Sequence, residues 1–266
     1  MSKLFPYLIL SFTLVIFSCK DDSGTRSINI FTLDNDISMG GEVREEVLNN
    51  PDQFGELLDS AENPEAYQYL YNMQQKILNS GKVRYDDRFP WRIHILDRDE
   101  LNAFATPGGY HFYYTGLLKY LDAEDQLAGV MAHEMAHADR RHGTNRLTRD
   151  YGISMALKIA LGEEPGLLAN VATQLYRTSY SRNQESDADE YAVRYMCEID
   201  YTSDAVAEFF RKMEADGLGS EMPAMFSTHP PGKERIENAE NFSTQLNCTG
   251  NATYDQEYAA FKALLP

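Results

Sequence analysis

Two histidines four residues apart flank a glutamate in His133-Glu134-Met135-Ala136-His137, and a second segment, Glu185-Ser186-Asp187-Ala188-Asp189, alternates carboxylates with small side chains. An α-helix turns about 100° per residue, so side chains four apart share a face roughly 6 Å apart along the axis. That separation lets two imidazoles grip one zinc ion, and Glu134, beside the first of them, is placed to act as a base on a metal-activated water. With only 6 His in 266 residues, chance rarely sets two of them at this spacing around a glutamate.

The surrounding sequence supplies the helix such a pair needs. Asp122-Ala123-Glu124-Asp125 resembles a capping box with acidic residues at the positive end of a helix dipole. Leu127, Val130, Met131 and Met135 recur at helical spacing, and Arg140, Arg141 and His142 occupy the cationic end before Gly143, the expected stop. A catalytic zinc takes a third protein ligand and keeps the fourth position for water. The candidate is Glu185, on a helix whose Ala188, Ala192, Tyr195 and Met196 mark an apolar stripe. One turn on, Asp189 is placed to accept a hydrogen bond from the far nitrogen of a ligand histidine and fix its tautomer. The alternative is a solvated acidic face.

The two motifs together resemble the gluzincin peptidases that include the CAAX prenyl proteases, the heat-shock membrane metalloproteases and the periplasmic proteases of outer-membrane quality control. Asn102 to Tyr110 with Thr115 to Leu118 resembles the strand segment ahead of the metal helix, Arg141-His142 the helix end, and Thr228-His229-Pro230-Pro231 with Arg235-Ile236 the late histidine-proline motif. The likeness covers roughly residues 65 to 242. It implies a zinc endopeptidase holding one Zn2+ per chain, with Glu185 as third ligand and a catalytic-site histidine at His229. His229 is then either an oxyanion donor or a fourth ligand that keeps the enzyme latent; a plain turn at Thr228 to Pro231 is the other reading.

Substrate docking is read from Gly108, Gly109, Tyr110, His111 and Phe112. The glycines admit a second backbone and the aromatics favour a strand, so an extended peptide is expected to pair with this stretch as a sheet edge, which the resemblance also implies. A turn between two strands is the alternative. His111 and His94 read as packing or surface residues.

Lys3 precedes an apolar run from Leu4 to Phe17, shorter than a bilayer span and of the length of a signal-peptide core. Ile16-Phe17-Ser18-Cys19 resembles a bacterial lipobox, which makes Cys19 the expected lipidated first residue of the mature chain, and Lys20-Asp21-Asp22-Ser23-Gly24-Thr25 a polar tether. The acidic residues after Cys19 resemble outer-membrane or surface sorting tags. Localisation is therefore expected to be the bacterial cell envelope, lipid-anchored, with the outer membrane favoured. The remaining cysteines, Cys197 and Cys248, are then free to form a disulfide in an oxidising compartment, with a buried free thiol at Cys197 as the alternative.

A net charge of -17 argues against nucleic acid as a partner and leaves protein or peptide substrates, with the membrane reached through the lipid. The expected organisation is a signal peptide over 1–18, a tether and N-terminal arm over 19–60, a zinc metalloprotease domain over 61–246 and a C-terminal extension over 247–266. Helices are expected near 64–80, 144–161, 166–177 and 203–215, with strands at Trp91 to Leu96 and in the Gly108 segment. The class is α+β, mostly helical, with one small sheet and an active-site helix. The function expected is endopeptidase action on misfolded or misassembled envelope proteins; the alternative is a chaperone-like lipoprotein that keeps the fold with little proteolysis.

Overall fold

The computed structural model describes residues 29–177, 179–217, 229 and 233–266. A four-stranded sheet is formed by β1 (Glu56–Leu57), β2 (Arg92–Asp97), β3 (Ala103–Thr106) and β4 (Tyr110–Tyr114) in the order β1-β2-β4-β3. β2 and β4 run parallel, with Ile93 opposite His111 and Ile95 opposite Tyr113, while β3 and β4 form an antiparallel hairpin. The chain is otherwise helical, which gives the α+β class read from the sequence. No helix among the described residues is long and apolar enough to cross a membrane.

Alternating strand residues feed two cores, as the period of two requires. Ile93, Ile95, Ala103, Ala105 and Tyr113 face a core shared with α3 (Pro64–Leu78) and α5 (Glu124–Asp139). Leu96, Phe104, Phe112 and Tyr114 face a second core, covered by α1 (Leu33–Leu48) and by α7 (Leu168–Arg177). The two short helices α2 (Pro51–Phe54) and α4 (Thr115–Tyr120) link these layers. Residues 29–60, expected as an N-terminal arm, pack on this sheet. Met39, Val43 and Val47 of α1 are buried against the sheet, because its second face is as apolar as the first and needs a cover. Gly108, at φ 75°, lets α1 lie against the hairpin turn: a Cβ there would stand 2.7 Å from Ile37 Cα.

Residues 247–266 also pack rather than extend. A disulfide joins Cys197 to Cys248, and Tyr258 and Phe261 of the last helix, α11 (Asp255–Lys262), are buried in the main core. The Asp122 capping box does not form. The first N–H groups of α5 instead find the Thr253 carbonyl, at 2.9 Å from Glu124 N and 3.4 Å from Asp125 N.

α5 is buried on every side, as its Ala-rich, nearly uncharged middle demands. Gly129 permits the closest packing, since a Cβ would meet Val206 N of α9 (Ala205–Ala215) at 2.5 Å. The helix stops at Asp139 and not at Gly143. Arg141 takes the left-handed conformation (φ 60°), and α6 (His142–Ala160) begins at the next residue. That conformation costs a non-glycine residue roughly 1 kcal/mol. It is held by Arg141 Nε to Asp36 Oδ2 at 2.5 Å and Nη2 to the Phe31 carbonyl at 2.6 Å.

Candidate metal centre

α8 (Arg182–Met196) lies against α5 and starts from a full capping box, Ser181 with Gln184. This contact brings Glu185 over His133 and His137. His229 and α10 (Lys233–Leu246) close the arrangement from the far side. Donor atoms of His133, His137, Glu185 and His229 all lie within 4.8 Å of one another, and all four residues are buried. His133 Nε2 is 3.0 Å from His137 Nε2, 3.2 Å from His229 Nδ1 and 3.4 Å from Glu185 Oε2. Glu185 Oε1 is 3.0 Å from His229 Nδ1 and 3.6 Å from His137 Nε2. Donors held about 2.0–2.1 Å from one tetrahedral zinc stand about 3.3 Å apart, so this donor set fits such an ion.

The outward atoms of these donors are also engaged. His133 Nδ1 lies 2.9 Å from Asp189 Oδ1. Asp189 is gripped by Arg235 of α10 through Nε and Nη2, each at 2.7 Å, and Arg235 Nη1 lies 2.9 Å from Glu185 Oε2. His137 Nδ1 meets His142 Nδ1 at 3.0 Å, and His142 Nε2 meets Asp187 Oδ2 at 3.1 Å. Arg140 Nε donates to the same Asp187 oxygen at 2.8 Å. With His137 presenting Nε2 to the cluster, its Nδ1–H donates to His142, and the His142 Nε2–H donates to Asp187. Tyr180 stacks on the His137 ring at 4.0 Å, with Arg146 over its other side.

Electrostatics prepare the donors. Burial pulls His133 down, but Asp189 and Glu185 together outweigh it and lift its pKa to about 9. Burial, reinforced by His133, holds His137 well below the usual histidine range and therefore neutral. Burial pushes Glu185 up, yet His229, Arg235 and His133 keep its carboxyl ionised well below the usual range. Burial raises Glu134, against the opposing pull of His229 and His133. Glu134 Oε1 stands 3.3 Å from His229 Nε2, and the Ala105 N–H of β3 also bonds its carboxylate.

The strand expected to take substrate is placed differently. β4, with Tyr110, His111 and Phe112, is interior, paired with β2 on one side and β3 on the other, and Gly108-Gly109 is the hairpin turn. The edge beside α5 is β3. Tyr114 N bonds the Asn102 carbonyl, so by the antiparallel alternation Ala103 and Ala105 turn their backbone groups away from β4. His111 is fully buried beside Gln74, and His94 accepts from Arg44 Nε at 2.7 Å, so both are packing residues. Cys19 and most of Gly217 to Pro231 lie outside the described residues.

Residues 64–243 match the sequence model of peptidase family M48. The chain belongs to peptidase family M48. M48 peptidases are metal-dependent, in keeping with the cluster. This M48 chain is 26% identical over 238 residues to a putative beta-barrel assembly-enhancing protease of Vibrio cholerae, covering 84% of this chain and 47% of that protein. It is 27% identical over 227 residues to the mitochondrial metalloendopeptidase OMA1 of Schizosaccharomyces pombe, covering 83% and 64%. To the beta-barrel assembly-enhancing protease of Escherichia coli it is 24% identical over 198 residues, covering 69% and 40%. The M48 chain thus spans about half of the two bacterial relatives and under two thirds of the fungal one.

Sequence reasoning gave no role to Tyr180, read Arg140 and His142 only as the cationic end of the metal helix and Asp187 only as one of an acidic run, and left Arg235 as part of a motif. Asp187 sits two residues from Glu185, off its stripe, and reaches the centre only through His142. The one available signal was the Arg141-His142 pair just past the end of the metal helix.

Proposed function

We propose that this chain is a zinc-dependent endopeptidase of the bacterial envelope that cleaves misfolded or misassembled proteins. The observation that carries the reading is the buried four-donor cluster with Glu134 beside it. His133, His137 and Glu185 would hold one zinc, which supplies a Lewis acid and lowers the pKa of water toward neutrality. Asp189 and His142 fix the tautomers of the two helix histidines, and Arg235 orients Glu185 and Asp189. Glu134, raised by burial, accepts a proton from the attacking water and returns it to the leaving amine. An extended peptide pairs with the outer edge of β3 through the Ala103 backbone groups and the Ala105 carbonyl, and reaches Glu134 where that carboxylate holds the Ala105 N–H.

His229 Nδ1 occupies the fourth corner of the donor set, which an open catalytic site keeps for water, and its Nε2 faces the base. This supports a latent resting form released when the segment carrying His229 moves away. His229 then becomes available as an oxyanion donor. The names of the bacterial relatives support envelope protein quality control, and the lipobox-like Ile16 to Cys19 supports a lipid anchor. In domain terms the reading is a leader over 1–18, a tether and N-terminal arm over 19–60, a metalloprotease domain over 61–246 and a C-terminal extension over 247–266.

The test is cleavage of unfolded casein by the purified protein, with and without chelator, beside Glu134→Gln. Activity lost to the chelator, restored by zinc and absent from a zinc-loaded Glu134→Gln is the expected result. An amide cannot take the proton, so a drop of at least about a hundredfold is expected. Chelator-resistant cleavage, or an active Glu134→Gln, would remove the mechanism and favour the chaperone-like lipoprotein.

A further inference from the structure

Six large apolar side chains stand exposed among the described residues, and three of them cluster at the second half of α6, Ile153 at 53% and Leu157 at 48% on the helix and Leu161 at 63% at its C-cap. Their spacing puts them on one face, turn above turn. The rest of the apolar side is already used, with Ala156 fully buried and Ile159 and Ala160 packed against the second core. The apolar side of this half-helix is wider than the core covers, a pattern that belongs to a helix with a second cover.

The fold brings this face to the point where the chain leaves the described body. α6 is broken by a kink at Gly152 (φ 72°, ψ 161°), so its second half takes its own direction. Asn29 Nδ2 donates to Thr144 Oγ1 at 2.9 Å and Asn35 Nδ2 to the Ala160 carbonyl at 3.0 Å. Both arms of the broken helix are therefore pinned to the first few described residues. Residues 20 to 28 reach at most roughly 30 Å when fully extended, which bounds the distance from Cys19 to that junction. Of the nearby charges Arg149 pairs with Asp150 at 2.8 Å and Lys158 with Glu164 at 3.5 Å, which leaves Glu163 beside the patch and no basic cluster to draw an anionic surface. The chain as a whole, at -17, is repelled by an anionic surface.

We infer that Ile153, Leu157 and Leu161 form a membrane-docking face that seats the second half of α6 in the interface of a zwitterionic bilayer, with the lipid at Cys19 holding it there. The inference rests on the lipid-anchor reading above. An amphipathic half-helix of this length binds weakly by itself, and the anchor supplies the second signal that stable attachment requires. The docked face sets the height and tilt of the peptidase above the membrane.

The experiment uses the full-length lipidated protein reconstituted into phosphatidylcholine vesicles. With Cys19 acylated and Cys197 bonded to Cys248, Leu157→Cys provides a single thiol for an environment-sensitive fluorophore. Gln75→Cys, exposed on α3, is the control. The expected result is that the Leu157 probe is quenched by lipids labelled near the headgroup and is shielded about threefold or more from an aqueous quencher relative to the control. Adding phosphatidylglycerol should reduce that shielding, whereas raising salt should restore it. Vesicle-bound protein whose Leu157 probe is as wet as the control overturns the docking face while the anchor stands. Protein that does not float with vesicles overturns the anchor and the docking face together. A probe shielded equally in detergent-free protein without lipid would mean that a second copy of the chain covers the stripe, and would also overturn the proposal.

Discussion

Replacing Arg235 by methionine tests the centre through its charge balance rather than its metal. Methionine keeps the length of the side chain and its packing over the Phe210 ring, which the guanidinium carbon faces at 4.5 Å. It removes two 2.7 Å hydrogen bonds to Asp189 and the 2.9 Å contact to Glu185. Both carboxylates are buried, at 1% and 3% exposure, so neither can turn to water for compensation. Deleting one partner of a buried pair costs about 3–5 kcal/mol. Two carboxylates share this arginine, but His133 stays beside Asp189 and His229 beside Glu185, so the middle of that range, about 4 kcal/mol, is expected for metal-free protein. For a chain of this size that is a fall in Tm of roughly 8–16 °C. Zinc would replace much of the lost positive charge, so the fall should shrink by half or more in the loaded protein. Arg235→Lys should lie between, because a point charge cannot reproduce the fork that spans Asp189. Thermal and urea unfolding by circular dichroism, with chelator and with zinc, reads all three. Metal-free Arg235→Met within about 1 kcal/mol of wild type would refute the reasoning, since the carboxylates would then not depend on the guanidinium.

His142→Gln, which breaks the path from His137 to Asp187, should weaken zinc binding about 10–100-fold while the metal-free fold unfolds near its normal midpoint; competition with a fluorescent chelator measures it. His229→Ala should raise basal casein cleavage if the imidazole is the latency ligand, and lower it at unchanged zinc content if it serves only the transition state; no change in either quantity would leave His229 without a role. The pH dependence follows from His133, whose folded pKa of about 9 exceeds the usual histidine value. A raised value stabilises the fold fully below pH 6.5 and loses that contribution as pH climbs through 9. Metal-free protein should therefore lose up to about 3 kcal/mol across that interval. Zinc binding needs the imidazole neutral, so the loaded protein should show no such decline in its urea midpoint, and parallel declines would contradict the assignment of His133 to the metal.

What could be read from the sequence was what helical spacing alone determines. His133 and His137 share a face of α5, and Glu185 and Asp189 share a face of α8, so each pair was legible before the two helices met. The link between pairs was not. Asp187 joins the centre because α6 restarts at His142 immediately after a left-handed Arg141, a backbone turn that no side-chain pattern announced. The edge strand was misplaced for a related reason: Tyr110 to Phe112 have the right character for a strand, but which strand lies outermost depends on β2 pairing with β4 across the intervening hairpin. Residues 27–60 read as a polar, helical N-terminal arm with no partner named, because the buried stripe of Met39, Val43 and Val47 in α1 is sparse, and the second apolar face of the sheet that it covers is visible only once the strands are assembled.

The carbonyl of Thr253 carries an implication for timing. It receives the first N–H groups of the helix that bears His133 and Glu134, and it sits just beyond the cysteine that is bonded to the end of α8. A chain emerging from its N-terminus exposes the histidine pair long before this carbonyl exists, and His229 and Arg235 arrive in between. The peptidase helix is thus finished only once the chain has been made as far as Thr253, well beyond the helix itself. A chain made only as far as Arg235 carries the residues of a protease without their final geometry, and competence is withheld until Thr253 is in place.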